Sequence, residues 1–199
     1  MLQPNIKKIT NFIFELNQLK RQKNTGFKLC GVKDPYSTAD HIWRAAQIGY
    51  ILAELEKADA EKVVSIILIH DNGETRVSDQ HKVAARYYSK KEAEEKSFND
   101  QLDGLGETIA KKWKKYSREF ELRNTPEGII AKDADWLEQA FQAKEYMEIG
   151  YPMVENWIAN VEKALETASA KRIIKQMKKT GFTDWWQGLK KMTYKKLYR

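Results

Sequence analysis

The sequence predicts an all-α protein folded as a single-domain helical bundle. Three observations carry this. Only 10 glycines and 4 prolines occur in 199 residues, too little turn material for many short strands. Apolar residues recur at helical spacing in nearly every segment. The β-branched run "VVSIILI" can be read as a strand, but the chain offers no second apolar run for it to pair with. The length suits one domain spanning residues 1–199, enough to bury roughly 70% of the unfolded surface.

The elements follow in chain order. "NIKKITNFIFELNQLKRQ" sets Ile6, Ile9, Phe12, Ile13, Leu16 and Leu19 at helical spacing, and Pro4 suits a helix start. "KNTGFKLCGVKDPYS" interrupts the pattern with Gly26, Gly31 and Pro35 and reads as a connecting loop. Ser37 or Thr38 then caps a helix over "ADHIWRAAQIGYILAELEK", with Ile42, Ala45, Ile48, Leu52 and Leu55 as its buried stripe. "DAEKVVSIILIHDNGE" is expected to be a helix buried nearly all round that ends at Gly73. The stretches starting at Ser89, Thr125 and Tyr151 are helical in period and propensity. Thr125 caps the second of them, with Pro126 at its first position and Glu127 favourable to the helix dipole.

Composition narrows the class. A 42% hydrophobic and 32% charged chain is globular with a heavily charged surface. Cys30 is the only cysteine, so no internal disulfide can form, which suits a reducing compartment. No apolar run approaches the ~20 residues of a membrane span, and no signal-peptide pattern opens the chain. The expectation is a cytoplasmic protein without a membrane partner. The net charge of +7 collects near the end, in "KRIIKQMKK" and "KKMTYKKLYR". A solvated basic surface accounts for it most simply. A nucleic-acid partner is the lesser reading, and attraction of an anionic substrate such as a phosphate ester is a third.

The chemistry concentrates on histidine and aspartate. Of three histidines, His41 follows Asp40 and His70 precedes Asp71. Helix neighbours point about 100° apart, so His70 and Asp71 can share one ion only where the helix ends or bends. Glu74 lies one turn on, and a further acidic cluster, "KDAD", spans Lys132–Asp135. A lone His-Asp pair is ordinarily a satisfied core histidine beside a helix end. A second histidine at a helix start and the later aspartates point instead to a mixed nitrogen and oxygen site for Mn, Fe, Co, Ni or Zn. Spacing leaves Asp133 and Asp135 both open as ligands, since residues two apart face away from each other.

"TADHIWRAA", "IILIHDNGETRVSD" and "TPEGIIAKDADWLEQAFQAKEY", in this order and spacing, resemble the motifs of the HD-domain 5'-deoxynucleotidase family of metal-dependent phosphohydrolases. The resemblance covers about residues 12–150, leaving helices in 151–199 beyond it. It implies a helical bundle around one divalent metal ion (Mn, Co, Fe, Ni, Zn or Mg), a homodimer, and hydrolysis of deoxyribonucleoside 5'-monophosphates. It assigns His41, His70, Asp71 and Asp135 as metal ligands, Glu74 as the catalytic glutamate, and Asp79 as an aspartate near the sugar and the attacking water.

The chain departs from the family pattern at several positions. The usual loop arginine aligns with Asn24, flanked by Arg21 and Lys23, any of which becomes a substrate-contact candidate. Arg44 matches the arginine after the first histidine, and either meets substrate or pairs with a helix carboxylate. Asn72 replaces a leucine, "SDQH" replaces Gly-Asp-x-Pro, and Trp136 replaces a lysine. Substrate preference is therefore the open question. The alternatives are another HD-type phosphohydrolase acting on a ribonucleotide, triphosphate or alarmone, or a basic nucleic-acid-binding regulator with a relic site. His81 is expected at the surface or behind the site, Lys132 in solvent, Cys30 in a structural role, and Trp185 and Trp186 in packing or an interface.

Overall fold

The computed structural model describes residues 4–189, and among these the chain is helical with no strand. An isolated antiparallel bridge joins Lys23 to Ser37. Helix α1 (Ile6–Leu16) starts on Asn5, whose side chain accepts the Lys8 amide, and tightens into a 3₁₀ turn, Asn17–Lys20. Phe12 and Leu19 are buried as the spacing predicts, while Ile6 and Ile13 face solvent. The expected loop from Lys23 to Ser37 contains a short helix, α2 (Thr25–Leu29), capped by Asn24. Five residues are too few to register as a period.

Helix α3 (Thr38–Glu56) begins on Ser37 in a capping box with Asp40, so the acid of the first Asp-His pair is spent on the helix start. Helix α4 (Ala60–Ile69) is the apolar run; Val63, Ile66 and Ile67 are fully buried, though Leu68 stays half-exposed. Helix α5 (Glu74–Val77) is a single turn.

The stretch from Ser89 divides into α6 (Lys90–Leu102) and α7 (Glu107–Leu122). Gly104 and Gly106, at φ of +90° and +94°, turn the chain between them. Helix α8 (Pro126–Glu148) is capped by Thr125 with Pro126 first, as the sequence predicts. The last stretch splits into a 3₁₀ turn at Pro152–Val154, α9 (Glu155–Ala164) and α10 (Ala168–Met177).

Helix α8 is the axle of the bundle, packed against α3, α4, α7, α9 and α10. Its inner face is small or apolar, with Ala131, Ala134, Leu137, Ala140 and Ala143 fully buried, so its neighbours approach closely. Trp185 and Trp186 lie exposed in a 3₁₀ turn after α10, and the basic stretch 190–199 lies outside the described residues. No helix among the described residues is long and apolar enough to cross a membrane.

Candidate metal centre

His70 is the residue at which α4 ends, and how it ends sets the site. The sequence places the stop at Gly73; the backbone instead tightens from His70 onward. The amides of His70, Asn72 and Glu74 bond to the carbonyls three residues back, at 3.4, 3.2 and 3.0 Å. With the helix ended here, the two neighbouring side chains are free to turn toward each other, and His70 Nε2 lies 3.1 Å from Asp71 Oδ2. Gly73 stays right-handed at φ −57°. Its missing side chain serves packing, since a Cβ there would sit 2.5 Å from the Glu94 carbonyl oxygen on α6.

His41 approaches from the first turn of α3, with Nε2 3.2 Å from Asp135 Oδ1 on α8 and 3.9 Å from Asp71 Oδ2. His70 Nε2 is 4.0 Å from the same Asp135 oxygen. Asp135 and Asp133, left open by spacing, part company in space. Asp133 faces α10 and accepts the Glu166 and Thr167 amides and the Thr167 hydroxyl, at 2.7–3.2 Å. Asp135 faces the histidines.

The donor set fits a cation. The His70 Nδ1–H donates to the Ile67 carbonyl at 2.7 Å, and the His41 Nδ1–H donates to Glu138. Both rings therefore turn their Nε2 lone pairs inward. Donor atoms of His41, His70 and Asp71 all lie within 4.8 Å of one another. In the metal-free chain, burial opposes charge on the imidazoles but the carboxylates prevail. Glu138 and Asp135 push His41 well above the usual histidine range, and Asp71 and Asp135 raise His70. Burial resists ionisation of Asp135, yet Lys132 and the histidines hold it well below the usual carboxylate range.

Glu138 was not legible as a site residue. It is fully buried one turn after Asp135, and it also accepts from the Tyr36 hydroxyl at 2.9 Å and from Arg44 Nε at 2.9 Å. Arg44 thus takes the ion-pair alternative, reaching Glu145 at 2.6 Å and Gln142 at 2.8 Å as well.

A cavity of about 570 Å³ opens beside the cluster. His41, His70, Asp71, Glu74, Asp79 and Asp135 line it, and Leu29, Phe120, Trp157 and Val161 add apolar surface. Glu74 is buried, accepting from the Thr38 hydroxyl at 3.2 Å and the Lys90 ammonium at 3.1 Å. Burial and the neighbouring Asp71 raise its pKa well above the ordinary glutamate value, against the opposing pull of Lys90. Asp79 accepts the Thr25 amide at 2.6 Å. Asn24 lines the cavity with its carbonyl turned to the Phe27 amide at 3.0 Å. Arg21 is exposed at the end of the 3₁₀ turn, and Lys23 pairs with Asp34 at 2.9 Å; neither joins the lining. Lys132, expected in solvent, instead bonds Asp135 at 2.9 Å. His81 and Cys30 both reach the cavity wall.

Two histidines and two aspartates from three helices, brought together beside an open cavity, make a mixed nitrogen and oxygen donor set of the kind that suits a divalent cation in an all-α bundle. The HD domain family model matches residues 16–178. The 5'-deoxynucleotidase HDDC2 of Dictyostelium discoideum is 32% identical over 141 residues, covering 65% of this chain and 72% of that protein. The 5'-deoxynucleotidase hdd1 of Schizosaccharomyces pombe is 28% identical over 175 residues, 77% of this chain and 88% of that one. Among solved structures, a conserved hypothetical protein from Pyrococcus furiosus superposes with a TM-score of 0.74 at 33% identity, over 86% of this chain and 99% of that chain. The chain belongs to the HD-domain 5'-deoxynucleotidase family.

Proposed function

We propose that the protein is a metal-dependent phosphomonoesterase that cleaves deoxyribonucleoside 5'-monophosphates to deoxynucleoside and phosphate. The observation that carries this reading is the convergence of His41, His70, Asp71 and Asp135 at the edge of a cavity that also holds Glu74 and Asp79. Those four residues would hold one divalent ion. When bound, it supplies a Lewis acid that acidifies water and polarises the phosphate.

The chain's own residues do the rest. Glu138 and the Ile67 carbonyl fix both imidazoles in the orientation that frees Nε2. Glu74, with its raised proton affinity, takes a proton from the attacking water and returns one to the leaving 5'-oxygen as the P–O5' bond breaks. Asp79, anchored on Thr25, orients the sugar and water side of the substrate. The apolar wall at Leu29, Trp157 and Val161 receives the base.

The resemblance also carries a homodimer. The exposed Trp43, Tyr50, Ile51 and Leu55 along one face of α3 support pairing, which sedimentation equilibrium would test. The Asp133 bonds to Thr167 support the view that the later helices work in one domain with the site.

The test of function is phosphate release from a panel of deoxy- and ribonucleoside monophosphates. Chelator-treated protein is resupplied with Mn, Co, Fe, Ni, Zn or Mg. Turnover of the deoxy compounds is expected, lost without metal and lost in His70→Ala and Asp71→Ala. Full metal-dependent turnover in either variant would sink the assignment.

A further inference from the structure

The cavity has a charge deficit. Asp71, Glu74, Asp79, Glu94, Glu121 and Asp135 all line it, and the substrate proposed above adds a phosphate. One divalent ion alone does not offset that array, which favours a cation of the chain at the phosphate. The aligned loop arginine of the family is Asn24 here, and Arg21, Lys23 and Arg44 are not part of the lining.

Three lysines do line it: Lys82, Lys90 and Lys132. Lys132 is committed, bonded to Asp135 at 2.9 Å with its ammonium 4.3 Å from the centre of the Phe120 ring. Lys82 is exposed. Lys90 opens α6, where Ser89 caps the helix, and turns into the cavity. Its ammonium donates to Glu74 at 3.1 Å. The nearest Glu94 oxygen is also 3.1 Å away but out of line for a hydrogen bond, and Asp79 is 3.8 Å away. An ammonium carries three N–H donors, and the Glu74 bond uses one of them while Glu94 stays within ion-pair reach.

We propose that Lys90 is the phosphate-binding cation of this enzyme. It donates to a phosphoryl oxygen of the nucleotide while its existing bond holds the Glu74 carboxyl beside the reacting centre. The proposal rests on the 5'-deoxynucleotidase reading for its substrate, but its geometry stands apart from the metal ligands. It places the missing positive charge on a different element from the loop of the family pattern, at the start of α6, with the ammonium 3.8 Å from Asp79.

The test uses the full chain loaded with Mn, its metal content measured directly, as wild type, Lys90→Met, Lys90→Gln and Lys90→Arg. Two readouts are taken: binding of inorganic phosphate by calorimetry, and KM and kcat with a deoxynucleoside monophosphate. Loss of one charge-assisted bond predicts a roughly tenfold or greater weakening of phosphate binding and a parallel rise in KM in the Met and Gln variants. Metal content stays at the wild-type level, and Lys90→Arg recovers most of the affinity. Wild-type phosphate affinity and KM in Lys90→Met or Lys90→Gln would overturn the proposal, even with reduced kcat, because Lys90 would then only position Glu74. Wild-type protein that releases no phosphate from any deoxynucleotide would instead refute the substrate reading, and the calorimetric arm would still decide whether Lys90 binds phosphate.

Discussion

Asp133 and Asp135 sit two residues apart and do opposite work. Asp133 satisfies the first amides ahead of α10, whereas Asp135 faces two imidazoles. Asp133→Asn is expected to cost about 1–2 kcal/mol of stability in denaturant unfolding, as loss of a strong cap does, with metal affinity retained. Asp135→Asn is expected to lose metal binding and also to lower the stability of the metal-free chain at neutral pH, since Lys132 and the histidines hold its ionised form there. Glu138 acts one step behind the ligands. Replacing it with Gln removes the carboxylate that receives the His41 proton, and metal affinity should fall about 10–100-fold in a competition titration. The four proposed ligands were legible because their types and spacing recur in a known pattern. Glu138 and Lys90 were not, because each earns its place through contacts 94 to 102 residues away or across a turn that no periodicity reports. Glu138 is the acid that closes the quoted motif "KDADWLE", but nothing in the motif told its role, which lies in contacts to α3 and Tyr36.

At the scale of elements, the sequence marked helix starts better than helix ends. Ser37 and Thr125 cap where expected, since a cap needs only a side chain and the amides just beyond it. The end of α4 was expected at Gly73 and came at His70, because the tightening is imposed by packing of α5 and α6 rather than by a left-handed glycine. The short elements around the cavity are tied to α1 by Glu15. Its carboxylate accepts from the Thr75 hydroxyl, the Arg76 guanidinium and the Gln101 amide at 2.7–2.9 Å. Partial burial works against ionisation, but these donors lower its pKa from 4.5 to about 2. A depressed carboxylate stabilises the fold above the unfolded-state value, and that stability drains away as pH falls from 4.5 to about 2. Glu15→Gln should therefore cost about 1–2 kcal/mol at neutral pH, with the gap to wild type closing across that acid window in urea titrations.

At the scale of the whole molecule, the proposed ligands come from α3, the end of α4 and α8, three helices packed on one another. A metal held there binds only the folded chain, so it should raise the melting temperature. At a free concentration 100 times the dissociation constant, linkage gives about 2.7 kcal/mol, or roughly 5–10 °C for a chain of this size. The shift should vanish in His70→Ala. The side facing the substrate is built differently. Glu74, Asp79 and Lys90 stand on a one-turn helix, an irregular stretch and a helix start, between residues 74 and 90. This stretch holds one of the chain's departures from its family's pattern, "SDQH"; others fall at Asn24, Asn72 and Trp136. The consequence is that changes in this segment and in the wall at Leu29, Trp157 and Val161 can alter which nucleotide the proposed site accepts without disturbing the three packed helices that carry the proposed ligands.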